Sequence, residues 1–480
     1  MMLVAVTATA ALTSCKNEVD DIFDKSAAER LTEGQEYFTN ILSDKGGKWQ
    51  MEYFANANEP GYVYVVTFNK DGSVKMAGNN LYIARLTNAS AMAPAYGDQT
   101  SLWDVITDNG LTLTFNSYNR VFHLFSTPED LSDTEASETG VGHEGDYEFN
   151  LMKYSNDTLY LTGKKRHIDI IMTRLSPEVD DRAYLDEVNA LPAKYFNALI
   201  PDVFITLPTG ARYQTAYGST LIVSMAPEAN ETRTRDQDAD WISYVEKHNA
   251  IITPGGLRFM EPITLYGTYE ARQRYEAYWK ENPEATSEPD IPNVYKVQTF
   301  DLQEDGSLLC REDGVSRIAA DDLGKVFASY KIKWRVDLAA GEGELAEAIS
   351  NFVSAMAARD GSTVQTLDFL VYRTTRDPAT GDVIETQYMM EATVRRRRGG
   401  SFKMDFYYNP VVNADGTVKL VFDGTYNTNA TSYVANVPAV QALVDAIGGA
   451  TFTVTSTSRL APVNITLTSG EGNYIEASAF

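Results

Sequence analysis

The sequence predicts an α+β protein in which antiparallel strands dominate. Short runs rich in valine, threonine and tyrosine recur along the 480 residues, which include 28 tyrosines, and these residue types favour strands. Asp-Gly or Asn-Gly pairs separate several of these runs, as they do in tight hairpins. Patterns with helical spacing are fewer and lie between the groups of strands. At roughly 100–200 residues per domain, two or three domains are expected.

The chain begins with a run of apolar and small residues, Met1 to Ala11. The run is shorter than the about 20 residues that cross a bilayer, and its length is typical of a signal peptide. Leu12-Thr13-Ser14-Cys15 follows and resembles the bacterial lipobox, although no basic residue precedes the apolar run. The resemblance implies cleavage before Cys15 and lipid on its thiol, so Leu12, Thr13 and Ser14 would be the recognition residues. We expect residues 1–14 to be a signal peptide and 15–25 a polar tether.

Residues 26–175 are predicted to form a helix followed by a strand meander. Ser26 and Glu29 have the spacing of a capping box, which marks a helix start. Strand patterns then succeed one another from Trp49 to Leu175, and Asn109-Gly110 between two of them predicts a hairpin. Consecutive antiparallel strands with short turns close most simply into a lipocalin-like barrel or a sandwich.

A linking helix is predicted at 176–200, because Ser176-Pro177-Glu178 has the composition of a helix start. We expect this helix to end near Leu191, where Pro192 would interrupt it. Residues 201–480 mix strand patterns with helical ones and form a second α+β region. Its division into subdomains at 201–330 and 331–480 is left open.

The composition restricts the classes of partner. The chain has 66 acidic and 41 basic residues and a formal net charge of -25. Such a surface repels phosphate backbones, so nucleic acid is not expected as a partner. Cys310 is the one cysteine besides Cys15, and its place on a predicted strand favours a buried structural thiol.

Two segments resemble ligand motifs in spelling only. Gly140-Val141-Gly142-His143-Glu144-Gly145 matches the dinucleotide fingerprint, but it follows an acidic loop and precedes a strand instead of opening a helix. Asp236-Gln237-Asp238-Ala239-Asp240 begins like a calcium loop, but Trp241 and Lys247 stand where glycine and glutamate are required. We interpret the first as a flexible glycine-rich turn and the second as a solvated acidic loop, and we predict no metal and no cofactor.

Catalytic motifs are equally scarce. The four histidines have no metal-site spacing, and His167 with Asp169 on one predicted strand face is interpreted as a surface pair. We predict no catalytic residue, and the balance is against an enzyme. A hydrolase that uses two carboxylates stays open, because 66 acidic residues offer many pairs.

Two surface features are weighed as partner sites. Arg395-Arg396-Arg397-Arg398 could bind an anionic partner, but the favoured interpretation is a hairpin end whose arginines meet acidic neighbours. Several tyrosines are candidates for sugar contacts by residue type alone: Tyr213, Tyr217, Tyr266, Tyr269, Tyr407 and Tyr408. In β-rich proteins most tyrosines belong to the core or to cross-strand pairs, so none is singled out.

Besides the lipobox at Cys15, five segments are characteristic: Ala28-Glu29-Arg30-Leu31, Trp49 with Glu52-Tyr53, Gly145-Asp146-Tyr147-Glu148-Phe149, Gly163-Lys164-Lys165 and Ile252-Thr253-Pro254-Gly255-Gly256-Leu257-Arg258-Phe259. In these segments, between about residues 20 and 310, the chain resembles an uncharacterised family of Bacteroidota lipoproteins known as a domain of unknown function, DUF4302. The resemblance implies an accessory lipoprotein of an outer-membrane nutrient importer. No catalytic residue is carried over from the family.

The sequence therefore predicts an exported, lipid-anchored protein of the cell envelope. The expected location is the outer membrane, with display on the cell surface. The expected role is non-catalytic binding of a nutrient, either a glycan or a peptide, or of an importer complex. The alternative is a lipid-anchored hydrolase that uses a carboxylate pair.

Overall fold

Antiparallel strands dominate the structure, a computed structural model that describes residues 25–57, 59–127, 143–218, 221–225, 241, 245–379 and 381–480. Strands hold 42% of the chain and helices 23%, which confirms the predicted β-dominated α+β class. The helices are α1 (Ala27–Ser43), α2 (Leu81–Arg85), α3 (Asp181–Tyr195), α4 (Tyr269–Glu281), α5 (Leu323–Phe327), α6 (Gly343–Asp360), α7 (Thr428–Asn436) and α8 (Pro438–Gly449), with a 3₁₀ turn at His123–Phe125. Within the described residues, no helix is both long and apolar enough to cross a membrane.

The first sheet follows α1, which begins at the predicted capping box of Ser26 and Glu29. Its nine strands have the spatial order β4-β3-β2-β1-β9-β8-β7-β6-β5. The strands are β1 (Lys48–Tyr53), β2 (Tyr62–Phe68), β3 (Ser73–Asn80), β4 (Ala95–Leu102), β5 (Asp104–Thr107), β6 (Leu111–Thr114), β7 (Glu148–Ser155), β8 (Thr158–Gly163) and β9 (Asp169–Arg174). Only Trp103 separates the edge strands β4 and β5 in sequence, so the sheet curves back toward its own start.

The second sheet repeats this topology. Its order is β13-β12-β11-β10-β18-β17-β16-β15-β14, which becomes the order of the first sheet when nine is subtracted from each number. The strands are β10 (Val203–Thr206), β11 (Arg212–Tyr217), β12 (Leu221–Met225), β13 (Val245–His248), β14 (Ala250–Thr253), β15 (Gly256–Tyr266), β16 (Val294–Leu302), β17 (Leu308–Cys310) and β18 (Arg317–Ala320). Here Asn249 is the single residue between the edge strands β13 and β14.

The third sheet is a closed eight-stranded barrel in which β19 pairs with β26. Its strands are β19 (Trp334–Val336), β20 (Thr363–Arg376), β21 (Val383–Arg395), β22 (Ser401–Val412), β23 (Val418–Tyr426), β24 (Thr451–Thr455), β25 (Asn464–Thr468) and β26 (Tyr474–Ala479). One apolar cluster runs continuously from the second sheet through α5 into this barrel, whereas the first sheet has a separate core. The second and third sheets are therefore joined by apolar packing, and the first sheet is joined to them differently.

Aromatic side chains fill the inside of the first sheet. Tyr53, Tyr64, Phe122 and Phe149 are fully buried, and their rings contact one another. Tyr53 donates to the carbonyl of Asp146 at 3.1 Å, which satisfies its buried hydroxyl. Because side chains fill the interior of the first sheet, we expect a ligand site outside that interior.

A buried tryptophan opens the first strand of both the first and the third sheet. Trp49 Nε1 donates to the Leu42 carbonyl at 2.9 Å, seven residues earlier, at the end of α1. Trp334 Nε1 donates to the Phe327 carbonyl at 3.2 Å, again seven residues earlier, at the end of α5. Each bond satisfies a carbonyl that a helix end leaves without an intrahelical partner. The same local bond thus occurs at the start of the first sheet and at the start of the barrel.

The linking helix differs from its prediction at both ends. Asp180 accepts from the Ala183 amide at 2.8 Å, so α3 begins at Asp181, and Ser176-Pro177 forms the turn before it. The helix also continues through Pro192 to Tyr195. Pro192 lies in the last turn, where its carbonyl still accepts from the Phe196 amide at 2.9 Å. The predicted end at Leu191 was wrong because proline near a helix terminus removes few hydrogen bonds.

The turn predictions hold where they rest on backbone chemistry. Asn109 and Gly110 have φ values of 52° and 137° and connect β5 to β6, which confirms the predicted hairpin. His167 also has positive φ, at 59°, and precedes β9. The prediction that His167 and Asp169 share a strand face was therefore wrong, because His167 lies in a turn.

Candidate functional site

The predicted lipidation segment, Leu12 to Cys15, lies outside the described residues. So do the segment 236–240 that begins like a calcium loop and residues 140–142 of the glycine-rich spelling. Within the part of the chain that is described, no group of three or more His, Cys, Asp or Glu side chains could hold a metal ion. Cys310 is buried, as predicted, and burial raises the pKa of its thiol to about 12.

A buried ion pair joins the first sheet to the second. Arg258 on β15 donates from Nε to Oε2 of Glu52 on β1 at 2.5 Å, and the two side chains are only 5% and 10% exposed. The guanidinium also lies 5.1 Å from the ring centre of Phe54. Two segments that carry the family resemblance, Glu52-Tyr53 and the run from Ile252 to Phe259, thus meet in space.

The ion pair is part of a chain of hydrogen bonds that reaches α3. Gln50 donates to Oε1 of Glu52 at 3.2 Å, and the hydroxyl of Tyr184 donates to the amide oxygen of Gln50. Burial, and then the charge of Glu52, raises the pKa of Tyr184, so its hydroxyl stays protonated as a donor. Among the described residues, Nη2 of Arg258 has no hydrogen-bond partner although it is buried. At this junction the Nη2 group of Arg258 is therefore a buried donor without an acceptor among the described residues.

This network forms the wall of a cavity of about 310 Å³ between the two sheets. Its charged lining residues are Glu52, Arg258, Asp301 and Arg311. Arg311 is bidentate with Asp301, at 3.0 and 2.6 Å, so the positive and negative charges balance. We name this cavity the charged half of the inter-sheet cleft.

A second cavity, of about 550 Å³, lies where β2 and β3 face α3 and β14, and we name it the neutral half. Its lining contains no charged side chain: Pro60, Gly61, Tyr62, Val63, Asn79, Asn80, Leu81, Pro94, Leu185, Val188, Asn189, Pro192, Ala193, Phe196, Tyr217, Ala250, Ile251 and Ile252. The volume lies within the range of about 300–1,000 Å³ typical of ligand pockets. An apolar lining with a few amides is also typical of such pockets.

Aromatic and amide side chains give the neutral half its chemistry. Phe196 and Tyr217 are stacked, with ring centres 6.1 Å apart and 16° between the planes. Tyr217 is 40% exposed, so part of its surface is open to a ligand. Asn189 donates to the Asn79 carbonyl at 3.0 Å, which fixes α3 against β3. A ligand with an apolar face and a polar edge would match this lining.

Ile251 belongs to the lining of both halves and separates them. A Cβ atom at Gly61 would lie 2.1 Å from Ile251 Cγ1 and 2.5 Å from the ring of Phe54, closer than such atoms approach. Glycine at position 61 therefore permits β14 of the second sheet to approach the first sheet.

The other segments that carry the family resemblance stabilise the first sheet. The carboxylate of Asp146 accepts from the amides of Lys165 and Arg166 at 3.1 and 2.8 Å in the turn between β8 and β9. A Cβ atom at Gly163 would lie 2.2 Å from this carboxylate. Lys164 pairs with Glu148 at 3.0 Å. These residues brace the sheet and lie outside the cleft.

A cluster of charged side chains lies on the outer wall of the barrel, beside a cavity of about 460 Å³. Asp368, Glu391 and Asp405 stand opposite one another on β20, β21 and β22, with Arg335 opposite Asp368 on β19. Arg335 is bidentate with Asp368, at 2.8 and 3.0 Å. The three carboxyl groups thus form one row across neighbouring strands.

The charges of this row are only partly compensated. Lys403 pairs with Glu391 at 2.8 Å. Burial and the charge of Glu391 raise the pKa of Asp405 above its usual value, against the opposing effects of Asn427 and Lys403. Oδ1 of Asp405 is buried and has no hydrogen-bond partner among the described residues. Like charges directly opposite on adjacent strands are unfavourable, so the row costs stability.

The sequence indicated several tyrosines by residue type alone, and in the structure these tyrosines lie in different environments. Tyr213, Tyr266 and Tyr408 are buried, whereas Tyr217 lines the neutral half. Tyr407 lies on the outer wall of the barrel, with its ring centre 4.5 Å from that of Tyr372. The pairing of Glu52 with Arg258 was missed, because nothing in the sequence indicates contact between residues 206 positions apart.

A family model described as "Domain of unknown function (DUF4302)" matches residues 19–273. The matched segment contains the first sheet, both members of the buried ion pair and the strands up to β15, and it ends within α4. No curated protein matches the chain.

Removal of Arg258 should strongly destabilise the junction. In Arg258→Met the carboxylate of Glu52 stays buried without its partner, which typically costs about 3–5 kcal/mol. We expect a clear fall in the midpoint of thermal unfolding. Glu52→Gln in the same chain should restore much of the loss, because it removes the stranded charge.

Arg311→Met is the matched control for Arg258→Met. The pair of Arg311 and Asp301 is about half exposed, at 54% and 42%, so its loss should cost no more than about 1 kcal/mol. Equal effects of the two substitutions would contradict the special role of the Glu52–Arg258 pair.

Asp405→Asn should stabilise the protein at neutral pH. A raised pKa means that the folded state prefers the protonated carboxyl, so ionisation costs stability once the pH exceeds the folded-state pKa. Asparagine resembles the protonated form. The melting temperature of the variant should therefore exceed that of the wild type at pH 7, and the difference should shrink as the pH falls.

Asp415→Asn is the control of opposite sign. Hydrogen bonds from Thr417 lower the pKa of Asp415, so its charged form stabilises the fold above the unfolded-state pKa. The variant should melt below the wild type at pH 7, with the difference lost at low pH. A pH-independent effect of Asp405→Asn would show that its pKa is not raised.

Proposed function

Because the chain belongs to the DUF4302 family, whose function is unknown, we propose a function from its chemistry: it is an exported, lipid-anchored protein of the cell envelope that captures a nutrient. The proposed binding site is the inter-sheet cleft, and the proposed ligand class is a glycan. The observation that carries the proposal is the neutral half, with its stacked Phe196 and Tyr217 beside asparagine amides.

The chemistry of a sugar ring fits this lining. A pyranose has an apolar C–H face and a rim of hydroxyl groups. The partly exposed Tyr217 offers an aromatic surface for the face, and Asn79, Asn80 and Asn189 lie at the lining where hydroxyl groups would need polar partners. The charge-balanced half beyond Ile251 adds polar groups for further units of a longer ligand.

A peptide or a subunit of an outer-membrane importer is the other ligand class expected from the sequence. An importer subunit would place an apolar segment in the neutral half and balance charges at Arg258 and Arg311. The neutral lining favours the glycan, because peptide recognition needs groups for the backbone amides along the whole site.

Tyr217→Ala should weaken glycan binding by at least about tenfold, a loss of about 1.4 kcal/mol of stacking and apolar contact. The measurement is calorimetric titration of residues 16–480 with the glycans that raise its melting temperature in a thermal-shift screen. Tyr37→Ala, at a tyrosine that is 53% exposed on α1 and lines neither half of the cleft, is the control and should bind normally. Unchanged affinity in Tyr217→Ala would exclude the neutral half as the site.

The anchor has a separate test. Lipid attaches to the Cys15 thiol as a thioether, which serine cannot form. In a Gram-negative host the wild type should fractionate with membranes, and Cys15→Ser should not. Cys310→Ser is the control and should remain with the membranes, because Cys310 is buried in the second sheet. A wild type found wholly in the soluble fraction would contradict the anchor.

A carboxylate-pair hydrolase is the second candidate, favoured by the row on the barrel wall. Asp405, with its raised pKa, has the property of a general acid, and Glu391 on the next strand is held close to Lys403. Turnover of a polysaccharide panel by the wild type, lost in both Asp405→Asn and Glu391→Gln, would support this candidate. No turnover by the wild type would exclude it for the substrates tested.

A further inference from the structure

Four consecutive arginines form the turn between β21 and β22 at one end of the barrel. Arg395 to Arg398 are all exposed, and Gly399 and Gly400 complete the turn with φ values of 93° and 79°. Arg396 donates its amide to the Gly400 carbonyl at 3.0 Å, which closes the turn. The turn therefore places its exposed arginine side chains at the tip of the hairpin formed by β21 and β22.

These arginines have no acidic partners in the described part of the chain. No carboxylate oxygen there lies within 4.0 Å of Arg395, Arg396, Arg397 or Arg398. The predicted hairpin end is confirmed, whereas the acidic neighbours expected for these arginines are not found among the described residues. Elsewhere on the barrel, Arg335 pairs with Asp368 and Lys403 pairs with Glu391. In a chain of net charge -25, an uncompensated group of four cations is a concentrated exception.

Neighbouring groups hold the tip in place without neutralising it. The guanidinium of Arg396 lies 4.6 Å from the ring centre of Phe402. The side chain of Arg397 packs against Gly361, the cap of the 18-residue helix α6. The partial negative charge of that helix end eases the repulsion between the arginines. Arg359, in the last turn of α6, adds a further exposed guanidinium nearby.

We infer that this arginine tip docks on a membrane surface that carries anionic phosphate headgroups. Guanidinium groups bind phosphate oxygens with two parallel hydrogen bonds, and an array of headgroups offers one phosphate to each arginine. An exposed hairpin tip can approach a flat array of headgroups, whereas an acidic polysaccharide chain would need a groove to follow. At physiological salt, charges beyond about 8 Å are screened, so the acidic remainder of the protein does not prevent contact at the tip.

The inference goes beyond ligand capture and does not depend on it. The tip lies on the third sheet, and the cleft lies between the first and second. A tip on the membrane surface would restrict the orientation of a chain already held at its N-terminus. Membrane docking and glycan binding can thus be tested separately.

The test is co-sedimentation of residues 16–480 with lipid vesicles, without any lipid anchor. Vesicles of phosphatidylcholine with one-third phosphatidylglycerol should bind the protein at 50 mM salt, and vesicles of phosphatidylcholine alone should not. The triple variant Arg396→Gln, Arg397→Gln, Arg398→Gln should bind at least about tenfold more weakly, because each arginine near an anionic surface contributes about fivefold. Raising the salt to 0.5 M should weaken binding of the wild type.

The control removes the same charge elsewhere. Lys194→Gln, Lys280→Gln, Lys419→Gln neutralises three exposed lysines on α3, α4 and β23, and it should bind like the wild type. Equal loss in both triple variants would overturn the inference, because net charge alone would then explain binding. Absence of wild-type binding at 50 mM salt would also overturn it. Binding to soluble polygalacturonate in place of vesicles would assign the tip to an acidic polysaccharide and likewise overturn it.

Discussion

The buried pair of Glu52 and Arg258 is the interaction on which the arrangement of the first two sheets depends. The second sheet and the barrel share one continuous apolar core, so their association follows from ordinary burial. The first sheet has a core of its own. Among the described residues, a small apolar cluster of Val65, Ala77 and Leu185 links it to α3, and Ile251 of β14 approaches it at Gly61. Beside these contacts, the ion pair, the bond from Gln50 to Glu52 and the bond from Tyr184 to Gln50 hold the junction together.

The cleft follows from that type of junction. Two sheets joined through a small polar contact and one helix leave space on both sides of it, and Ile251 divides this space into its neutral and charged halves. The same topology occurs in both sheets, yet neither sheet forms the cleft alone. The family match covers both members of the ion pair. The proposed binding site therefore lies between the first and second sheets and not inside either of them.

The sequence predicted what short-range chemistry controls. The capping box at Ser26 and the hairpin at Asn109-Gly110 are confirmed, because backbone geometry at these sites depends on a few adjacent residues. The repeated strand order was missed, because the order depends on pairings such as β1 with β9 across more than 100 residues. Asp-Gly turns recur, but at different positions within the two sheets, so they did not reveal the repeat. The cleft and the carboxylate row also depend on long-range contacts, and Tyr217 was named only by its residue type.

Hydrogen exchange followed by mass spectrometry would show whether the Glu52–Arg258 pair holds the first two sheets together. The Arg258→Met chain would be compared with the wild type at a temperature where both are folded. We expect faster exchange in β1, α3 and the hairpin of β14 and β15, because the substitution loosens the junction between the first two sheets. Exchange in β19–β26 should be unchanged. Unchanged exchange in all these elements, or a uniform increase through the barrel, would contradict the role given to the Glu52–Arg258 pair.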